Sequence, residues 1–442
     1  MEKKFYITTA IDYANAAPHM GHALEKTQAD ALARYHRILG EEVRFTTGTD
    51  EHGAKIARAA KKAETAPQAF VDQNAEKFKE LLRLLDISND DFIRTSDAGR
   101  HHPAAVKIWR ALAASGDIYK KSYRGLYCVG HEAFITEKDL TDGKCADHNA
   151  APETIEEENY FFKLSKYGPR IKQAIESGEM KIIPEFRQNE ILALIAEGLE
   201  DVSFSRPARD ISWGVPVPDD PTQTMYVWCD ALTNYISALG FGGADEKLFE
   251  KFWPEATHLI GKDILRFHAA IWPGMLLSAG LPLPKRIITH GFVTSQGQKM
   301  SKTIGNVVDP LTIIEKYGAE ALRYYFVREM PTFDDGDFTE EKMKAAYNGS
   351  LANGLGNFVS RTSKMITQYF DGTLARPGEE ALSNVPLQSN LHLKLSGAPA
   401  GGEKLELFSL DYVLNREVLP EYHKAMAEYN LARATEIIWK FL

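Results

Sequence analysis

Residues 5–53 read as a strand, a helix and a second strand in immediate succession, and few folds accept that order. The run Phe5-Tyr6-Ile7-Thr8-Thr9-Ala10-Ile11 is β-branched and aromatic, as a buried strand requires. Met20, Leu24, Thr27, Ala31, Tyr35 and Ile38 follow at spacings of 4, 3, 4, 4 and 3, which puts them on one helical face, with Gly40 as the expected stop. Val43 to Thr47 is the second strand, and it runs into Gly48-Thr49-Asp50-Glu51-His52-Gly53. A βαβ unit implies an α/β fold with a Rossmann-like, doubly wound parallel sheet. Ligands of such sheets sit beyond the carboxyl ends of the strands. Asp50 and the segment from His19 to His22 both fall at that edge.

The pattern changes near residue 117. Residues 118–224 contain short strand-like pieces, two Cys/His pairs, an acidic stretch from Glu153 to Glu158, and Pro207, Pro216, Pro218 and Pro221. This reads as an inserted domain. Apolar strands return at Met225-Tyr226-Val227-Trp228, at His258-Leu259-Ile260 and from Ile287 to Val293, as the second half of the sheet. The expected layout is therefore sheet domain over 1–117, insertion over 118–224, sheet domain again over 225–291, a linking domain over 292–350 and helices over 351–442. A loop-like stretch from about Pro386 to Gly402 interrupts the helices.

The net charge of −9, from 52 basic and 61 acidic residues, argues against a protein that coats nucleic acid by bulk charge. A local basic track is still compatible with it. No apolar run reaches 18 residues, so no membrane span is expected. Met1-Glu2-Lys3-Lys4 leads straight into the first strand, with too little apolar length for a signal peptide. Three cysteines make no disulfide framework, and a reducing cytoplasm and a monomeric chain are the expectation.

Four motifs carry chemistry. In His19-Met20-Gly21-His22, Pro18 stands just ahead, where proline suits a helix start. The first helical turn offers unpaired N–H groups and partial positive charge, which favour phosphate. Gly21 lets a nucleotide approach the backbone, and the two imidazoles can donate to phosphate oxygens as charge develops there. The plainer reading is two ordinary histidines at a helix end. Lys299-Met300-Ser301-Lys302 sits in a glycine-flanked loop, where mobile ammonium groups can close on a leaving pyrophosphate; taken alone it is more simply a solvated loop. Cys128-Val-Gly-His131 and Cys145-Ala-Asp-His148 are two C-x₂-H pairs whose spacing suits a closed tetrahedral zinc site with a structural role. Their bland alternative is a metal-free loop. Cys229, in an apolar stretch, reads as core.

Taken together, these features resemble a class I aminoacyl-tRNA synthetase, specifically the methionyl family of bacterial type, from about residue 5 to about residue 370. The matching elements are Ala10-Ile11-Asp12-Tyr13, Thr49 to Gly53, Tyr226-Val227-Trp228-Cys229-Asp230-Ala231-Leu232-Thr233-Asn234-Tyr235 and Gly261-Lys262-Asp263-Ile264-Leu265-Arg266-Phe267-His268. The resemblance implies ATP-dependent activation of L-methionine and transfer to tRNA(Met), with Mg²⁺ accompanying ATP. The amino-acid carboxylate attacks Pα, and the 2′-OH of a terminal adenosine then opens the adenylate. His19, Gly21 and His22 with Lys299 and Lys302 would hold ATP. Ile11, Tyr13, Trp228, Ala231, Tyr235, Ile264 and His268 would line the methionine pocket, with Asp50 on the ammonium. Large aromatic faces suit a flexible thioether, and a carboxylate orients an ammonium by a charge-assisted bond.

Asn357 and Arg361, at i and i+4 on one helix, match anticodon-reading positions, against the alternatives of a cap or a surface ion pair. Several features depart from the family pattern. Asp12 stands where proline is usual, Thr303 replaces a serine, and the Cys₂His₂ set replaces a more cysteine-rich one. No Asn-x-Tyr…Pro-Trp segment occurs before Leu442, so the helical domain is expected to be truncated. Two rival readings remain: activation of another thiol or apolar amino acid, and an inactive synthetase-like RNA-binding protein.

Overall fold

The computed structural model describes residues 3–131, 133–147, 149–300, 306–373 and 414–441. The chain divides into two compact units, Met1–Thr339 with Tyr429–Ala432, and Glu340–Glu428 with Arg433–Leu442. The larger unit is organised by a parallel sheet. Its strands are β1 (Lys4–Thr9), β2 (Glu42–Asp50), β3 (Asp91–Arg94), β4 (Lys181–Ile183), β5 (Ala256–Gly261) and β6 (Arg286–His290), in spatial order β4-β6-β5-β1-β2-β3. Every neighbouring pair is parallel. β4 lies inside the segment read as an insertion, yet it adds the edge strand beside β6.

Helix α1 (Met20–Ile38) covers one face, with Met20, Leu24, Thr27 and Tyr35 of the expected stripe buried and Ile38 left exposed at its end; the Phe5 ring stacks on His36 with centroids 3.6 Å apart. Side chains of alternate residues point to the other face. There the Tyr6 hydroxyl donates to the Tyr235 carbonyl at 2.8 Å, and Thr8 Oγ1 lies 2.7 Å from His258 Nδ1. Trp272 Nε1 donates to His258 Nε2, so Nδ1 carries the proton and the ring is neutral, consistent with burial holding its pKa down. Helical segments around Tyr235 and Trp272 thus close the second face, and the sheet is doubly wound with its core on both sides.

Three expectations change in detail. The first strand ends at Thr9 rather than Ile11, and Asp12–Tyr13 pairs separately with Thr49–Asp50. Tyr226-Val227-Trp228 is not a strand of the second half. Asp220–Met225 belongs to a small antiparallel sheet, and helix α2 (Val227–Leu232) begins directly after Tyr226, with Cys229 buried inside it. The aromatic and β-branched run misled because a local β preference yields to burial on one face. The segment 287–293 splits: β6 ends at His290, and Val293–Ser295 joins Gln298–Lys299 and Gly336–Asp337 in another sheet. Gly291 makes the break possible, since a Cβ there would fall 2.2 Å from the Asp334 carbonyl.

Residues 118–162 form the long antiparallel pair Ile118–Cys128 and Glu153–Phe162, which carries the Cys/His loop at its end. In the smaller unit, α3 (Asn357–Phe370) bears Asn357 and Arg361, both exposed one turn apart. The stretch from Pro386 to Gly402 lies outside the described residues. Among the described residues no helix is long and apolar enough to cross a membrane.

Candidate active site

A cavity of about 990 Å³ opens at the carboxyl ends of β1, β2, β5 and β6. It is lined by Ile11, Tyr13, Asp50, Trp228, Ala231, Tyr235, Ile264 and His268, and by His19, Gly21 and His22. Residues from distant parts of the sequence therefore converge on one space.

Local geometry explains each placement. His19 is the N-cap of α1, and its Nδ1 accepts from the Gly21 N–H at 3.1 Å. The His19 N–H in turn donates to His22 Nδ1 at 3.1 Å. This is a capping box in which two imidazoles replace the usual hydroxyl and carboxylate. Since each Nδ1 is an acceptor, each Nε2 carries the proton. The rings stack with centroids 3.7 Å apart. Burial and then Lys26 hold the His22 pKa down, so its ring stays neutral. Gly21 has a use beyond backbone access: a Cβ there would lie 3.0 Å from His19 Cε1 and push that ring off the helix end.

The aromatic wall comes from α2 and the helical turn after it, Asn234–Ser237. Trp228, Ala231 and Tyr235 are spaced i, i+3, i+7, one helical face; that spacing was the signal for helix rather than strand. Trp228 stacks on Phe267 at 3.8 Å and 9°. The Tyr235 hydroxyl lies 2.6 Å from His268 Nε2, while His268 Nδ1 lies 2.9 Å from the Ile264 carbonyl. Nδ1 must therefore donate and Nε2 accept, and burial lowers the His268 pKa to about 4. Phe267 and His268 lie on a π-helical turn, Phe267–Ile271, which directs both residues to the cavity.

Asp50 ends β2, is buried, and lies on the cavity wall. The next residues tie this edge down. Glu51 takes Arg94 Nε at 2.7 Å, and His52 Nδ1 lies 2.6 Å from Asp230 Oδ2. Asp230 Oδ1 is 2.7 Å from His101 Nε2. The Asp230 bridge joins the loop that follows Asp50 to the helix that carries Trp228.

Sequence reasoning passed over Glu25, Lys26, His290 and Asp263. Glu25, His290 and Asp263 line the cavity, and Lys26 lies buried beside Glu25. Glu25 and Lys26 look like ordinary surface charges in a helix, and only the hydrogen-bond pattern reveals them. Asp12, which departs from the family pattern, is buried and bonded to Lys26 at 2.9 Å.

Lys299 closes a short hairpin, opposite Thr294, and Lys302 lies outside the described residues. Met300 on one side of that gap and Val307 and Asp309 on the other line the same cavity.

In the Cys/His loop, the ligand atoms of Cys128, His131 and Cys145 all fall within 4.8 Å of one another. Cys145 Sγ is 3.6 Å from His131 Nδ1, a separation suited to two ligands of one tetrahedral ion. Asp147 Oδ2 lies 2.9 Å from His131 Nε2, so the carboxylate would hold the proton there and leave Nδ1 to the metal. The cluster could hold a metal ion. His148 lies outside the described residues. No disulfide links Cys128, Cys145 and Cys229, and all three are buried.

The family described as tRNA synthetases class I (M) matches residues 5–150 and 135–363. The methionine–tRNA ligase of Caldanaerobacter subterraneus subsp. tengcongensis is 47% identical over 380 residues, 86% of this chain and 59% of that protein. The methionine–tRNA ligase of Rhizobium meliloti is 47% identical over 372 residues, 83% of this chain and 72% of the relative. A solved structure of Mycobacterium tuberculosis methionyl-tRNA synthetase with methionyl-adenylate superposes with a TM-score of 0.88 at 39% identity, covering 99% of this chain and 82% of that one. On these grounds the chain belongs to the class I methionyl-tRNA synthetase family.

Proposed function

We propose that the chain activates L-methionine with ATP and transfers the methionyl group to tRNA(Met). The observation that carries this reading is the convergence of the histidine pair, Asp50 and the aromatic wall on one cavity. Asp50 holds the substrate ammonium, and Trp228 and Tyr235 enclose the thioether. The methionine carboxylate attacks Pα, and pyrophosphate leaves toward Lys299 and Lys302, with Mg²⁺ accompanying ATP. His19 and His22 donate Nε2–H to the phosphate as it becomes pentacoordinate. No covalent nucleophile is needed, because positioning and preorganised donors supply the acceleration. Asn357 and Arg361 would read the anticodon, and the reaction belongs to a cytoplasmic, monomeric enzyme.

The test is amino-acid-dependent ATP–pyrophosphate exchange across all twenty amino acids, which requires no tRNA. Methionine should stimulate exchange, and Lys302→Ala should lose most of it. Equal stimulation by leucine would refute the methionine assignment.

The Cys/His loop is proposed to hold one structural Zn²⁺ through Cys128, His131, Cys145 and His148. Zinc supplies cross-linking here rather than chemistry, because four protein ligands leave no open position. Elemental analysis of undenatured protein should find close to one zinc per chain, and a zinc-free folded protein would refute the claim.

A further inference from the structure

Resting on that proposed activity, we propose that Lys26 is a positioning residue that, together with His290, cancels two carboxylates at the cavity floor so that a polyphosphate can enter. Lys26 is 1% exposed and is not itself a lining residue. Its ammonium donates to the Ala10 carbonyl at 3.0 Å, to Asp12 Oδ1 at 2.9 Å and to Glu25 Oε1 at 2.9 Å. Asp12 and Glu25 both line the cavity and are both buried. The other Glu25 oxygen, Oε2, is 3.0 Å from His290 Nε2. His290 Nδ1 faces the Gly291 carbonyl at 2.7 Å and must donate to it. With Nδ1 protonated, Nε2 meets a carboxylate and carries the second proton, which makes the ring an imidazolium. Two cations thus interleave with two carboxylates, and the floor is neutral overall.

The position of this cluster links it to nucleotide. Lys26 is one helical turn beyond His22, and His22 Nε2 is 3.9 Å from Asp12 Oδ1. The carboxylates therefore lie directly beneath the donors assigned to the phosphates. Without Lys26, His290 still offsets one carboxylate, and the one left uncancelled at this depth would repel a polyanion, because the cavity wall screens charge less than water does. The same charge would attract, rather than repel, the ammonium of methionine. Loss of Lys26 should thus act with opposite signs on the two substrates. A merely structural lysine would weaken both.

The experiment compares the unaltered chain with Lys26→Met, Asp12→Asn/Lys26→Met and Asp12→Asn/Glu25→Gln/Lys26→Met, by pyrophosphate exchange and by calorimetric titration with ATP. Lys26→Met should raise both the KM and the Kd for ATP on the order of tenfold, with the methionine KM unchanged or lower. The triple variant, which removes both carboxylates, should return ATP binding to within about threefold of the unaltered chain. Unchanged ATP binding in Lys26→Met would overturn the proposal, and so would equal weakening of ATP and methionine or a triple variant as weak as the single one. If Lys26→Met does not fold, the double variant decides. It leaves Glu25 paired with His290 and should bind ATP nearly normally, so a tenfold loss there refutes the idea. An unaltered chain that binds ATP but shows no exchange with any amino acid refutes the proposed activity, while the ATP titrations still judge Lys26.

Discussion

His22→Ala is expected to lower methionine-dependent pyrophosphate exchange on the order of 10²- to 10³-fold, the usual cost of removing a preorganised donor from a developing charge. The capping box makes this prediction divisible, because His22 has two separate tasks. Its Nδ1 accepts from the His19 N–H, and its Nε2 is the remaining donor facing the cavity. In His22→Asn, the amide oxygen can occupy roughly the place of Nδ1, so the cap survives while the distal donor is lost. In His22→Gln, the amide N–H reaches roughly the place of Nε2, while nothing replaces the cap. The asparagine variant should therefore unfold like the parent and lose most exchange. The glutamine variant should keep exchange within about tenfold and lose on the order of 1 kcal/mol of stability. The reverse pattern, an active asparagine variant and a glutamine variant as dead as alanine, would show that the distal nitrogen does not serve the phosphate.

Asp230→Ala should cost about 3–5 kcal/mol of folding stability, the penalty for removing one partner from a buried charged network. Asp230 is 1% exposed and spans His52 at 2.6 Å and His101 at 2.7 Å. Burial alone would raise its carboxyl pKa, but His52 and His101 together pull it well below the ordinary range. A carboxylate depressed in the folded state contributes stability that is present above its unfolded pKa of about 3.9 and is lost as pH falls through the folded value. Urea unfolding at pH 7 should therefore show the full deficit, and the gap between the variant and the parent should narrow below about pH 4. A deficit under about 1 kcal/mol at pH 7 would mean that the two histidines are satisfied without this bridge. Methionine KM should rise in the same variant, since Trp228 and Asp50 are held in mutual register through it.

The βαβ order was legible because two independent periodicities met in one short segment. Residues 20–38 repeat at helical spacing, and β-branched runs stand on either side. The site's edge position follows from that order. Trp228 and Tyr235 were singled out by the family resemblance and not by any local pattern, and the element carrying Trp228 was misread: Val227 and its aromatic neighbours have a strand-like composition, whereas the i, i+3, i+7 interval from Trp228 to Tyr235 is helical. The Asp12–Lys26–Glu25–His290 cluster was illegible for a different reason. A lysine and a glutamate at adjacent helix positions ordinarily point into water, and their burial depends on β6, which lies some 265 residues away. Asp230 was quoted only as part of a longer element, because nothing local to it forecasts two histidines from distant segments. Charge networks built from residues far apart in sequence leave no periodic trace.

The pairing of β1 with β5 brings Thr8 to His258 across 250 residues. At a synthesis rate of about 5–20 residues per second, roughly 12–50 s separate the appearance of the two strands at the ribosome. Once Arg94 has been made, and for the rest of that interval, the nascent β1–β2–β3 fragment presents a bare parallel edge, one that can recruit a wrong strand. Translation speed between codons 100 and 256, and access to a chaperone that shields open edges, should therefore govern the soluble yield of this chain more strongly than the final stability of the folded protein.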